Sequence, residues 1–306
     1  MNEQTSPQIV PDSEHRGLVA RLPQLPRDLA QLARFDLPIG WWLLFWPCVF
    51  GVWLAGAGPQ FALLGWLLLG AIAMRGAGCV YNDIVDAKLD ASVARTALRP
   101  VASGRVSKKL AWGWLFALCL IGLVVLLQLR LTAQVVALTS LALVAAYPFM
   151  KRITWWPQAW LGMVFNWGLL VGWSELRFDN FDALAAIYAG CICWVIGYDT
   201  IYALQDREDD ALVGIKSSAL RMGKHVHAGV AGFYAATIGL WGLGIWLYRP
   251  DIFALLALLP VAGHLLWQVS TLDASDPDNP LERFRSNRWA GALMATACFV
   301  VGNAGA

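Results

Sequence analysis

The chain has 306 residues, of which 58% are hydrophobic and 14% charged, with 17 tryptophans and a formal net charge of +2. This is too apolar for an ordinary soluble domain of the size, so the chain is expected in a lipid bilayer. The net charge decides little, but its distribution argues against nucleic acid as a partner and for anionic headgroups or phosphorylated substrates near a few loops.

Residues 1–26 are polar, Pro-containing and charged; they read as a flexible tail, without the pattern of a cleavable signal peptide. Arg27 to Phe35 then predicts an amphipathic surface helix leading to Pro38. Apolar runs of the length that spans a bilayer, about 17–25 residues, follow. They lie near residues 37–57, 60–81, 110–129, 131–149, 156–174, 183–204, 227–248, 251–271 and 289–305, which makes nine predicted helices. The expected fold is all-α, a polytopic nine-helix membrane bundle. With the N-terminus on the cytoplasmic side, nineteen of the 23 basic residues fall in inner segments, leaving Arg75 within a span and Arg130, Arg177 and Arg249 outside. The positive-inside rule selects that orientation. The inner connections at 82–109 and 205–226 are long and charged, whereas outer links such as Gly56 to Gln60 are short, so the working surface is expected on the cytoplasmic side.

Two acidic clusters end two of these runs. Arg75, Asn82 and Asp86 are spaced seven and four apart, and Asp199, Asp206 and Asp210 repeat the same spacing. Steps of seven and eleven residues return to within about 20° of the starting helix face. Each trio therefore lines one stripe, and Asp90 continues the first with an offset of about 60°. Carboxylates beside hydrocarbon are costly unless paired, hydrated or metal-bound. Facing one another, these oxygen donors suit Mg²⁺ bridging to a diphosphate, because Mg²⁺ takes hard ligands and shares its remaining positions with phosphate oxygens.

Cations lie where such an anion would need them. Tyr147-Pro148-Phe149-Met150-Lys151-Arg152 closes one run, and Arg95, Arg99, Arg105 and Lys216 flank the acids. Arg75 sits inside an apolar run, which points to ligand contact or a structural ion pair. The six cysteines, mostly within apolar runs, read as packing thiols, and the four histidines form no ligand set.

These residues carry a resemblance. Met74-Arg75-Gly76-Ala77-Gly78-Cys79-Val80-Tyr81-Asn82-Asp83, continued by Asp86, Asp90 and 95–104, resembles the first signature of the UbiA superfamily of intramembrane prenyltransferases. Tyr198 to Asp210 with Gly214-Ile215-Lys216-Ser217-Ser218 resembles the second. Tyr147 to Arg152 and Arg34 to Gly40 are similar to the family's intervening loop and opening segment. The likeness extends over about residues 30–300 and is closest to the subfamily that prenylates 4-hydroxybenzoate for ubiquinone synthesis. It implies a single domain over residues 27–306, in two pseudo-repeated halves with signatures at 75–104 and 198–218. It further implies a Mg²⁺-dependent transfer from a polyprenyl diphosphate to the ring carbon beside the acceptor hydroxyl, in a bacterial or mitochondrial inner membrane. Under that resemblance Asn82, Asp86, Asp90, Asp206 and Asp210 hold Mg²⁺. Asp86, Asp199, Asp206 and Arg75 are the catalytic set, and Arg75, Tyr147, Lys151, Arg152 and Lys216 bind substrate. A sister enzyme with another aromatic acceptor is the nearest alternative. A cation-coupled transporter is the distant one, disfavoured because the acids gather at one face of the membrane.

Overall fold

The computed structural model describes residues 18–92, 96–205, 207, 211, 214, 216–276 and 278–304, and every regular element among them is helical. A short 3-10 turn, Leu18–Arg21, precedes α1 (Gln24–Leu32), α2 (Ile39–Leu54), α3 (Phe61–Asp90), α4 (Lys108–Leu126), α5 (Leu131–Ile153) and α6 (Pro157–Leu176). Then come α7 (Phe181–Tyr202), α8 (Ser218–Met222), α9 (Val226–Tyr248), α10 (Ile252–Leu255), α11 (Leu259–Ser270) and α12 (Asn279–Asn303).

Each of the nine predicted runs overlaps a helix. Among the described residues six segments are long and apolar enough to cross a membrane: Phe61–Asp90, Lys108–Leu126, Leu131–Ile153, Phe181–Tyr202, Ser218–Tyr248 and Ile252–Ser270. Of the other three, α2 is apolar but has only 16 residues. Gln158, Asn166 and Glu175 dilute α6, and Glu282, Arg283, Arg285 and Arg288 occupy the first half of α12. A second difference matters more for function. The sequence placed a loop from residue 82 onward, but α3 runs unbroken for 30 residues to Asp90. No Gly or Pro interrupts residues 79–90, and Thr96 Oγ1 donates to the Asp90 carbonyl at 2.8 Å, satisfying one of the end groups the helix leaves open.

The chain divides into two compact units. The first comprises Met1–Trp41 and Leu68–Val125. Its core is built from Leu32 and Ala33 at the end of α1, Ala77, Val80, Ile84 and Ala87 of α3, Val101 and Val106 of the following loop, and Ala111, Leu115 and Leu118 of α4. α1 thus packs into this core instead of lying on a surface; the Trp114 indole N–H donates to the Leu29 carbonyl at 3.0 Å. The helix ends in a Schellman pair, with Phe35 N–H donating to the Ala30 carbonyl at 2.9 Å and Arg34 N–H to that of Gln31 at 3.0 Å. The residue such an ending places in the left-handed region is usually glycine. Here it is Arg34, with φ 57°, a conformation costing about 1 kcal/mol that persists only where surroundings impose it.

The second unit comprises Trp42–Leu67 and Leu126–Ala306. Between helices in lipid there is little hydrophobic drive, so close van der Waals approach must hold them. In this unit α2 and α6 meet backbone to backbone. A Cβ on Gly172 would collide with the Cys48 carbonyl oxygen, and one on Gly51 with that of Leu169. A hydrogen-bonded chain through buried side chains joins four helices. Trp194 Nε1 of α7 donates to Asn287 Oδ1 of α12 at 2.8 Å, Asn287 Nδ2 to Gln268 Oε1 of α11 at 3.3 Å, and Tyr234 OH of α9 to the same oxygen at 2.7 Å. Indoles also satisfy backbone across α5 and α6, with Trp160 Nε1 donating to the Leu143 carbonyl at 2.8 Å and Trp167 Nε1 to that of Val136 at 2.7 Å.

Candidate active site

In the first unit the predicted acid stripe sits on the last turns of α3, a helix stiffened by packing on both α1 and α4. Asp86 is wholly buried, at 0% exposure, Asp90 is buried, and Asn82 is half-buried. Arg75 lies on the same stripe, half-buried; its Nη1 donates to Cys79 Sγ at 2.7 Å. Gly40 makes room for it, since a Cβ there would come within 2.7 Å of Arg75 Nε.

Beside the stripe lies a group of ion pairs that spacing did not reveal. Asp83 is 2% exposed, and Arg34 Nη2 donates to its two carboxylate oxygens at 3.1 Å each. Arg99 Nη1 reaches Asp83 Oδ1 at 3.4 Å and the two oxygens of Asp90 at 3.2 and 3.1 Å. Further along the loop, Arg105 Nη1 pairs with buried Asp28 of α1 at 2.9 Å, while its Nη2 donates to the Leu98 carbonyl at 2.8 Å. Arg99 and Arg105 therefore fold the 96–106 loop back onto α3 and α1. The available signal was Asp83 itself: a carboxylate about 100° away from Asn82 around the helix faces packed protein and requires a partner.

In the second unit Lys151 is half-buried and Arg152 exposed, in the last turn of α5, with Tyr147 one turn earlier. Lys216 joins them: its main-chain N–H donates to the Lys151 carbonyl at 3.1 Å, its Nζ to that of Ile153 at 3.2 Å, and the ammonium lies 5.9 Å from the Trp155 ring centroid. Three of the predicted anion-binding cations thus share one locality. Asp199 is half-buried on the last turn of α7, and Thr200 beside it shares a 2.6 Å hydroxyl hydrogen bond with Ser218. Ser218 N–H donates to Gln158 Oε1 at 3.2 Å, so the end of the second signature is tied to α6 as well as α7. Tyr198 and Tyr202, either side of Asp199, pack on Phe284 with ring centroids 5.8 and 4.7 Å away. Asp206, Asp210 and Arg95 lie outside the described residues.

Among the described residues no three Asp, Glu, His or Cys side chains converge as a metal site. The donor set nevertheless fits Mg²⁺ chemically. Asp86 and Asp90 are buried carboxylates one turn apart, with an amide oxygen on Asn82 a turn earlier, all hard oxygen donors. Of the buried thiols, which would favour softer metals, Cys48, Cys191 and Cys298 lie elsewhere, and Cys79, one turn before Asn82 and Asp83, accepts from Arg75.

Known proteins resemble this chain in sequence and in fold. The profile of the UbiA prenyltransferase family matches residues 44–295. The chain is 42% identical over 283 residues to the mitochondrial 4-hydroxybenzoate polyprenyltransferase of Arabidopsis thaliana, covering 89% of this chain and 68% of that one. Among solved structures it shares its fold with a UbiA homolog from Aeropyrum pernix K1, with TM-score 0.70, 24% identity and coverage of 85% and 97% of the two chains. It also shares it with a UbiA homolog from Archaeoglobus fulgidus bound to GPP and Mg²⁺, with TM-score 0.66, 18% identity and coverage of 90% and 99%. The chain belongs to the UbiA prenyltransferase family.

Proposed function

We propose that this protein transfers a polyprenyl group from a polyprenyl diphosphate to the ring carbon ortho to the hydroxyl of 4-hydroxybenzoate, giving 3-polyprenyl-4-hydroxybenzoate in ubiquinone biosynthesis. What carries the reading is Asp86, a fully buried carboxylate on one helical stripe with Arg75 and Asn82, in a chain of this family. The acceptor follows the name of the Arabidopsis relative, and the diphosphate and Mg²⁺ follow the ligands of the Archaeoglobus homolog.

In this mechanism Asn82, Asp86 and Asp90 of the first signature, and Asp206 and Asp210 of the second, hold Mg²⁺. Bound there, Mg²⁺ supplies positive charge that stabilises the leaving diphosphate. Lys151, Arg152 and Lys216 bind that same anion, with Tyr147 lining its approach, so the allylic C–O bond breaks as its electron pair passes to diphosphate oxygens held by cations. Asp199 supports the second acidic arm, and Arg75 holds the aromatic acceptor near the first. The electron-rich ring carbon then forms the C–C bond, and its proton departs to restore aromaticity. Placing this chemistry among membrane helices excludes water from the cationic carbon. Nine membrane-crossing segments, with the N-terminus and both acidic arms on the cytoplasmic side of a bacterial inner membrane or its mitochondrial equivalent, complete the picture, as the arginine and lysine distribution supports.

The test is direct. Purified protein in nanodiscs with Mg²⁺, a polyprenyl diphosphate and 4-hydroxybenzoate should release one diphosphate per prenylated ring, and chelation should stop it. Asp86→Ala or Asp206→Ala should cut turnover by about 10²-fold or more. Full turnover in either variant would overturn the metal assignment. Faster reaction with homogentisate or a naphthoate would reassign the acceptor, and solute uptake without diphosphate release would return the transporter.

A further inference from the structure

The metal and substrate roles leave Asp83 unexplained. It lies off the stripe, is 2% exposed, and receives Arg34 on both oxygens at 3.1 Å. Its third contact is the informative one. Arg99 Nη1 is 3.4 Å from Asp83 Oδ1 and 3.1–3.2 Å from both oxygens of Asp90, so one guanidinium nitrogen is divided between two carboxylates seven residues apart on the same helix. A donor shared in this way binds each acceptor less tightly than it would bind either alone, and the effect is large where water is scarce.

We propose that Asp83 is a positioning residue: by holding one side of the Arg99 guanidinium it limits the claim of Arg99 on Asp90 and so sets how readily Asp90 accepts a divalent cation. The proposal rests on the reading of Asp90 as a cation ligand. Arg34 acts through Asp83 in the opposite sense. It competes with Arg99 for the Asp83 carboxylate, and it does so from a left-handed backbone position, φ 57°, that arginine seldom occupies. If Asp83 loses its charge, Arg99 moves wholly to Asp90 and a cation must displace it. If Arg99 loses its charge, its claim on Asp90 ends.

The measurement is Mn²⁺ titration followed by electron paramagnetic resonance of the free ion, on the full chain in nanodiscs without substrate. Asp83→Asn should weaken binding by about fivefold to tenfold, the scale of one charge-assisted hydrogen bond. Arg99→Gln should tighten it by a similar factor, and in the Arg99→Gln background Asp83→Asn should shift it by less than about twofold, because its influence travels through Arg99. An equal shift in both backgrounds means plain charge repulsion at a distance and overturns the proposal. So does unchanged Mn²⁺ affinity with a lowered melting temperature, which marks a purely structural pair. Should Asp83→Asn not fold, Arg34→Gln carries the same test with the sign reversed: tighter binding, lost when Arg99 is also replaced. Failure of the wild type to bind Mn²⁺ at all would instead sink the metal reading, and this proposal with it.

Discussion

Thr200 Oγ1 and Ser218 Oγ lie 2.6 Å apart, both residues fully buried, where the last turn of α7 meets the start of α8. Thr200 Oγ1 also donates to the Ile196 carbonyl at 2.6 Å, and a hydroxyl has one proton to give, so Ser218 is the donor between the two. The two truncations are therefore unequal. Thr200→Val strands the buried Ser218 hydroxyl and should cost about 2–3 kcal/mol, whereas Ser218→Ala leaves Thr200 bonded to Ile196 and should cost about 1 kcal/mol. Thermal unfolding in detergent reads both, and equal losses would contradict the donor assignment.

The meeting of α2 and α6 gives a second test. A methyl on Gly172 runs into the Cys48 carbonyl, a backbone atom that cannot swing aside, while Gly232 on α9 has nothing within 4 Å of its would-be Cβ. Gly172→Ala should destabilise by about 3 kcal/mol, the upper range for overpacking. Gly232→Ala should be neutral or stabilising by up to about 1 kcal/mol.

Asp28 and Arg105 form a pair at 2.9 Å with Asp28 buried, joining α1 to the loop after α3. Arg105→Met leaves a buried carboxylate uncompensated and should cost about 3–5 kcal/mol, with faster proteolysis in α1. Adding Asp28→Leu should recover most of that loss. If the double variant is no more stable than the single one, Arg105 acts through its bond to the Leu98 carbonyl instead.

The turn between α6 and α7 is held by Arg177 and Asp179, paired at 2.8 Å, and the hydrogen bonds from Arg177 keep the Asp179 carboxyl below its usual range. A depressed folded-state value means the pair stabilises above the unfolded carboxyl's titration, about pH 4, and that this contribution disappears as pH falls through the lower folded value. The pair is solvent-exposed, so the effect is small. Asp179→Asn should remove it, lowering stability slightly at neutral pH and leaving it unchanged in strong acid, so that the acid limb measured by denaturant unfolding is flatter below about pH 4.

The acid stripe was legible because its evidence is local. Residues 75, 82 and 86 return to one face by helical geometry alone, with Asp90 offset by about 60°, and α3 is helical through all four. The ion pairs beside it were not. Arg34 and Asp83 are 49 residues apart, and nothing in either neighbourhood names the other. Arg34 looked like one more inner-side cation and Arg105 like a cation flanking an anion site, yet both carry buried carboxylates. The end of α3 was misread for a related reason: charge in a sequence looks like loop until its neutralising partners are known.

What the chain determined by itself is its helical, membrane-suited character, its family and the face on which its first acidic motif lies, since run length and helical repeat are properties of neighbouring residues. Only the tertiary structure decided which arginine answers which carboxylate, which glycines let α2 and α6 touch, and which hydroxyl donates beside Asp199. Those depend on distances between remote residues in a medium with little water, where a few tenths of an ångström separate a shared charge from an unshared one.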